Sequence, residues 1–237
     1  MSAPVVAAVL AGGTGTRLGA ELPKQLIRVA GKEILAHTLD VFEACSDVDE
    51  IRVFMVPHHV DAARDIVGKY AKAAPVAAGG RTRADSARLA CRALEEYPRD
   101  TKLLVHDAVR PLVDVETVTE CVRALDHFDA VTVAVPSTDT IVEIASVDGH
   151  EVVTGTPPRA ALRRVQTPQG FRLHQLARAH ALAAEDPDFV PTDDCGVVRR
   201  YLPRVAIGVV PGSEHNVKIT HTDDLPIAEH RLSRRVL

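Results

Sequence analysis

The chain has 237 residues, 46% of them hydrophobic and 25% charged, with a formal net charge of −4. Aromatic residues make up only 3% and Trp is absent, which excludes a stacking platform for single-stranded nucleic acid. The acidic balance argues against broad binding to DNA or to a membrane surface, so neither is expected as a partner.

The length suffices to bury a core without staples. Cys45, Cys91, Cys121 and Cys195 are widely separated with no CxxC pair, and the reading is of reduced, mostly buried thiols. No apolar stretch approaches the ~20 residues of a membrane span, and no basic-then-apolar leader opens the chain. A cytoplasmic protein is expected.

In chain order, residues 5–10 form a continuous apolar run, as a strand buried on both faces requires. Helical spacing follows at 33–45, with Leu35, Leu39 and Phe42 on one face. Strands are predicted at 51–56, 76–78, 103–105 and 130–135, and helices at 60–70, 83–96 and 115–128. This βαβα order predicts an α/β fold, a Rossmann-like mostly parallel sheet with helices on both faces. Ligands then belong at the carboxyl ends of the strands. After Pro136 the pattern changes. Short β-like pieces at 140–144 and 151–154 flank Asp148-Gly149, a hairpin signal. Residues of about 137–165 therefore read as a projecting arm on a single domain spanning 1–237. A helix at 173–185, strands at 205–210 and 217–219, and a closing helix at 223–235 complete the prediction.

Three segments carry chemistry. Ala11-Gly12-Gly13-Thr14-Gly15-Thr16-Arg17 directly follows the first strand. Its glycines let the backbone approach a ligand and present N–H groups to anionic oxygens. Arg17 and Lys24 add cations. There is no Gly-Lys-Ser/Thr, and the dinucleotide fingerprint is incomplete. Attack at a triphosphate's α-phosphorus builds charge on its oxygens, which fixed cations and backbone donors stabilise. A glycine turn with no ligand is the alternative. Gly79-Gly80-Arg81-Thr82-Arg83-Ala84-Asp85-Ser86 is a second glycine segment leading into a helix N-terminus, which favours anions. Asp85 and Ser86 are either first-turn helix residues or readers of base and ribose. In His106-Asp107-Ala108-Val109-Arg110, Asp107 falls just past a strand end, where a lone carboxylate can hold Mg²⁺. A structural ion pair with Arg110 is the other reading.

These segments, with Thr138-Asp139-Thr140-Ile141, Arg159 after Pro157-Pro158, Gln166-Thr167-Pro168-Gln169-Gly170-Phe171, Thr192-Asp193-Asp194 and Asn216-Val217-Lys218-Ile219-Thr220, resemble a family over nearly the whole chain. It comprises the CTP-dependent cytidylyltransferases that act on 2-C-methyl-D-erythritol 4-phosphate or D-ribitol 5-phosphate. The resemblance implies a homodimer clasped through the arm and transfer of CMP from CTP to a polyol phosphate, with pyrophosphate leaving and Mg²⁺ as cofactor. It implies that Arg17 and Lys24 stabilise the transition state, and that Arg159, reaching across the dimer, and Lys218 position the acceptor phosphate. Leu10, Ala11, Gly12, Gly13, Gly80, Arg81, Asp85 and Ser86 would hold CTP. Asp107, Ala108 and Arg110 would lie near ribose, phosphates and Mg²⁺, with Asp107 the metal ligand. Thr140, Thr167 and Thr192 would line the acceptor side.

The acceptor signals divide. Leu10-Ala11-Gly12-Gly13, Ala108-Val109 and Asp139-Thr140-Ile141-Val142-Glu143 look like the ribitol branch. Thr156-Pro157-Pro158-Arg159 and Gln169-Gly170-Phe171 look like the erythritol branch, which is the expectation taken forward. A sugar-1-phosphate nucleotidyltransferase shares the glycine-loop chemistry but would have an extended sugar-binding half. A CTP-sensing module would bind without turnover.

Overall fold

The computed structural model describes residues 3–13, 22–186 and 188–234. β1 (Val5–Ala11) is buried along its whole length. After it, a two-residue pair, β2 (Arg28–Val29) and β3 (Lys32–Glu33), leads into α1 (Ile34–Ala44). The alternation continues through β4 (Glu50–Met55), α2 (Val60–Val67), β5 (Ala77–Ala78), α3 (Arg83–Arg92), β6 (Lys102–Asp107), α4 (Val115–Ala124) and β7 (Ala130–Pro136). A hairpin of β8 (Glu143–Val147) and β9 (His150–Gly155) precedes β10 (Arg163–Arg172), α5 (Leu173–Ala183), α6 (Asp194–Tyr201), β11 (Ile207–Pro211) and α7 (Asp224–Leu232).

The main sheet has the order β11-β7-β10-β6-β1-β4-β5. β1 pairs in parallel with β4 and β6, β4 with β5, and β11 with β7. Only β10 runs the other way, antiparallel to both β6 and β7. Period-two alternation sends side chains to both faces. Val5, Ala7 and Val9 pack with Leu39, Phe42, Ile66 and Val118 of α1, α2 and α4. Val6, Ala8 and Leu10 pack with Ala87, Leu176 and Val198 of α3, α5 and α6. The chain is thus an α/β protein of Rossmann-like architecture. α7 closes a smaller cluster in which Ala228 and Leu232 meet Val29, Ile34 and Ile219.

Besides shifted element ends and the short β2–β3 pair, three elements differ from the sequence prediction. β10 carries Pro168 in its interior, a residue that weakens any reading as a central strand. The strand tolerates it because its pairing with β7 shifts register between Gln166 and Gln169. α6 lies in a stretch left without an element. The predicted strand at 217–219 is not one: that segment is irregular, anchored by the Ile219 N–H donating to the Val109 carbonyl at 2.9 Å. The hairpin turns at Asp148-Gly149, both in the left-handed region (φ 52° and 81°), as a two-residue loop of the favoured type demands. All four cysteines are free and buried, and burial pushes the Cys91 and Cys121 thiols up to about 12. No helix among the described residues is long and apolar enough to cross a membrane.

Phe171, fully buried on β10, joins the α3–α5–α6 side of the core. Phe171→Ala is expected to cost about 3–5 kcal/mol of unfolding free energy, measured as a lowered denaturant midpoint at unchanged slope.

Candidate active site

The register aligns Leu10 of β1 with Phe54 of β4 and Asp107 of β6, so their carboxyl ends open on one side. There a cleft of about 480 Å³ is lined by Leu10, Ala11, Gly12, Gly13, Lys24, Gln25, Arg81, Thr82, Arg83, Ser86, Asp107, Val109, Lys218 and Thr220. A larger cleft of about 720 Å³, bordered by Phe128, Arg178 and Arg204, lies at the opposite end of the sheet and contains none of the sequence-predicted residues.

Both glycine segments meet at Ser86. The Ser86 hydroxyl accepts from the Gly80 N–H at 3.0 Å and donates to the Thr82 carbonyl at 3.1 Å. A Cβ on Gly12 would come within 2.9 Å of that hydroxyl oxygen, and one on Gly80 within 2.2 Å of Asp85 Cβ. The close backbone approach thus requires glycine at Gly80, whereas at Gly12 the close contact is with the Ser86 side chain. Gln25 is almost fully buried, and its amide donates to the carbonyls of Ala11 and Gly13, fixing the exit from β1. Lys24 is held at the rim by donating to the Ile219 carbonyl at 2.9 Å.

Asp107 is the electrostatic centre. Its Oδ1 accepts from Arg83 Nε at 3.1 Å, and its Oδ2 faces Lys218 Nζ at 2.9 Å and Arg110 Nε at 3.6 Å. Burial alone would push this carboxyl up. Arg83, Lys218 and Arg110 outweigh that and hold it well below the usual carboxylate range. Arg83 extends the network backward, donating from Nη1 to Asp194 Oδ2 at 2.6 Å. Its own pKa would fall on burial, but Asp194 and Asp107 raise it. The Asp107 N–H donates to Thr167 Oγ1 at 3.1 Å, and that hydroxyl lies 3.0 Å from His106 Nδ1. His106 Nε2 is 3.2 Å from the Arg110 carbonyl, which can only accept. A neutral ring with its proton on Nε2 satisfies every member of this chain. Burial draws the His106 pKa down to about 4, against the opposing pull of Asp107.

Of the residues predicted from sequence, Leu10, Ala11, Gly12, Gly13, Lys24, Arg81, Ser86, Asp107 and Lys218 line the cleft. Gly80, Thr167 and Arg110 stand one contact behind it. Ala108 is buried and donates its N–H to the Leu10 carbonyl at 3.0 Å. Asp85 caps α3: its carboxylate accepts from the Thr82 N–H at 3.0 Å and completes a capping box, and it is not among the residues lining the cleft. Thr140, Arg159 and Thr192 are exposed and also outside the cleft lining. The Arg159 guanidinium donates to the Thr138 carbonyl at 3.3 Å, at the base of the hairpin. Arg17 lies outside the described residues. Sequence reasoning missed Gln25, Thr82, Arg83, Val109 and Thr220.

The chain matches the 2-C-methyl-D-erythritol 4-phosphate cytidylyltransferase family over residues 5–234. It belongs to this family. The cytidylyltransferase of that name from Thermobifida fusca (strain YX) is 48% identical over 228 residues, which are 95% of this chain and 92% of that protein. A bifunctional ribulose 5-phosphate reductase/CDP-ribitol pyrophosphorylase from Haemophilus influenzae is 40% identical over 96% of this chain but 48% of its own length. Among solved structures, the 4-diphosphocytidyl-2C-methyl-D-erythritol synthase of Anaerococcus prevotii superposes with a TM-score of 0.86 at 28% identity, covering 98% of this chain and 97% of that one. The cleft of this cytidylyltransferase brings Gly12 and Gly13 together with Lys24, Arg81, Arg83 and Lys218.

The neutral His106 has a pH signature. Its folded pKa lies below the unfolded value of 6.5. Below pH 6.5 the unfolded chain therefore takes up a proton that the folded chain refuses. Stability should fall as pH drops from about 6.5 to 4, by roughly 3 kcal/mol for this group. Unfolding midpoints measured across that range should show a shallower slope in His106→Gln than in the wild type.

Proposed function

We propose that the chain transfers CMP from CTP to 2-C-methyl-D-erythritol 4-phosphate and releases pyrophosphate. The observation that carries this is the cleft at the strand ends, where Gly12, Gly13, Lys24, Arg81 and Lys218 gather round one buried carboxylate. The family assignment supplies the two substrates.

The nucleophile is a phosphate oxygen of the acceptor, already anionic near neutral pH because the second ionisation of such a phosphate lies near 6. It needs no general base. A new P–O bond forms at the α-phosphorus as the bond to the bridging β-phosphate oxygen breaks, and the electron pair leaves with pyrophosphate. Negative charge grows on the α-phosphoryl and bridging oxygens, where Lys24 and Arg17 lower the barrier. Lys218 meets the acceptor phosphate. Backbone N–H groups of Gly12 and Gly13 and the α3 N-terminus face the nucleotide phosphates.

A divalent cation such as Mg²⁺ would neutralise the triphosphate charge. Asp107 is the only carboxylate among the described residues lining the cleft. Mg²⁺ commonly uses one protein carboxylate together with substrate phosphates and water, so the residues fit it. Asp107 would hold the ion, with Lys218, whose side chain is 41% exposed, free to turn toward the acceptor.

The hairpin supports a homodimer within this one-domain reading. Ile144, Val147, Val152 and Val153 are all exposed on it, Val153 by 62%. A lone two-stranded hairpin is marginal in water, and a second copy would cover its apolar side chains. Arg159, outside its own chain's cleft, would then serve the partner's acceptor site.

Purified protein with CTP, Mg²⁺ and 2-C-methyl-D-erythritol 4-phosphate should release pyrophosphate. Faster release with D-ribitol 5-phosphate would reassign the acceptor, and none with either would sink the reading. Lys24→Ala and Arg17→Ala should each lower kcat about 100- to 1000-fold. Separately, Ile144→Lys with Val153→Lys is expected to shift sedimentation from dimer to monomer and to abolish turnover. An unaltered mass would remove the hairpin from the interface.

A further inference from the structure

Behind Arg83 lies a buried chain of polar groups that no step above uses. Asp194, the first residue of α6, is 1% exposed. Its Oδ2 accepts from Arg83 Nη1 at 2.6 Å, and its Oδ1 is 2.9 Å from Nε2 of His180, a ring on α5 that is itself 3% exposed. The Asp194 position is locked from the sheet side. Its N–H donates to Gln169 Oε1 at 3.1 Å, and Gln169 Nε2 in turn donates to Asp193 Oδ2 at 2.6 Å.

A guanidinium facing a single carboxylate tends to take it with two parallel N–H groups. Arg83 does not take Asp107 in this way. Its shorter bond goes backward to Asp194, and it reaches Asp107 through Nε alone at 3.1 Å. Two things follow. The second oxygen of Asp107 is left for Lys218 and Arg110. Arg83 Nη2 remains a buried donor with no hydrogen-bond partner among the described residues, on a side chain that lines the cleft. A buried donor without an acceptor is costly, and an anionic oxygen of the nucleotide would remove that cost.

We propose that Asp194, oriented by His180, is a positioning residue for nucleotide binding: by drawing Arg83 backward it keeps Asp107 from being clamped and holds an Arg83 N–H ready for an oxygen of CTP. Arg83 is thus a further nucleotide-binding residue, and Asp194 and His180 act through it. The inference rests on the cytidylyl-transfer reading for the identity of the ligand.

The test is a double-mutant cycle between Asp194→Asn and Arg83→Lys, with CTP binding titrated calorimetrically in the absence of acceptor and with steady-state kinetics beside it. Asp194→Asn should weaken CTP binding and raise KM for CTP at least ten-fold while KM for the acceptor stays within two-fold. In the Arg83→Lys background Asp194→Asn should add little, since sites that act through one another are not additive. His180→Leu should reproduce part of the loss, and His180→Gln, which keeps a donor near the Nε2 position, should restore it. Additive losses, wild-type CTP affinity in Asp194→Asn, or equal loss in both KM values would overturn the proposal. If Asp194→Asn does not fold, the His180→Leu and His180→Gln pair crossed with Arg83→Lys decides by the same outcomes. Pyrophosphate release by the wild-type chain tests the activity alone, and the CTP titration tests the positioning chain whatever that assay gives.

Discussion

Asp107 is a carboxylate buried at the end of β6, and burying it requires compensating charge. The cations come from three distant parts of the chain: Arg83 at the start of α3, Arg110 just beyond β6, and Lys218 close to the C-terminus. This demand shapes the rest of the cleft. The irregular segment around residue 218 must return to the strand ends, and it does so through the Ile219–Val109 backbone bond while its own carbonyl accepts from Lys24. Arg83 must cross from α3 to the sheet, and Asp194 meets its far side. A cleft proposed to stabilise anions is thus held together by one anion of its own.

The neutral chain through His106 complements this. Asp107 is fixed by its backbone as well as its side chain, because Thr167 on β10 bonds both the Asp107 N–H and the His106 ring. The carboxylate is therefore oriented from β10 and charged from α3 and the C-terminal segment. Those are separate constraints on the same few atoms, and a site residue held in both ways keeps its geometry when a ligand arrives.

Much of the fold was legible because continuous apolar runs such as the one at β1 and helical stripes such as Leu35, Leu39 and Phe42 report burial directly. β10 was not, because Gln166, Pro168, Gln169 and Gly170 dilute the apolar signal of a strand that nonetheless sits mid-sheet. α6 had a readable start in Asp193, whose side chain accepts from the Gly196 N–H as a cap, but its short length and Gly196 obscured it. At the site, the glycine segments and Asp107 stood out by position after strands. Arg83 did not: with Arg81 and Arg88 in the same stretch, only the fold reveals which of the three faces two buried carboxylates. Asp85 and Ser86, adjacent in sequence, separate into a helix cap and a cleft wall for the same reason.

The reversed direction of β10 bears on how the protein is made. β5, β4, β1 and β6 can pair as soon as the first 107 residues exist, but the strand that covers the free side of β6 arrives only with residues 163–172. Until then β6, buried along its whole length in the finished fold, is an open edge with unpaired backbone groups, the kind that recruits other chains. A nascent chain emerging at about 5–20 residues per second exposes that edge for several seconds. Truncation before β10, or slowed synthesis across it, therefore leaves a half-sheet prone to aggregate, although every residue of the strands already made is correct.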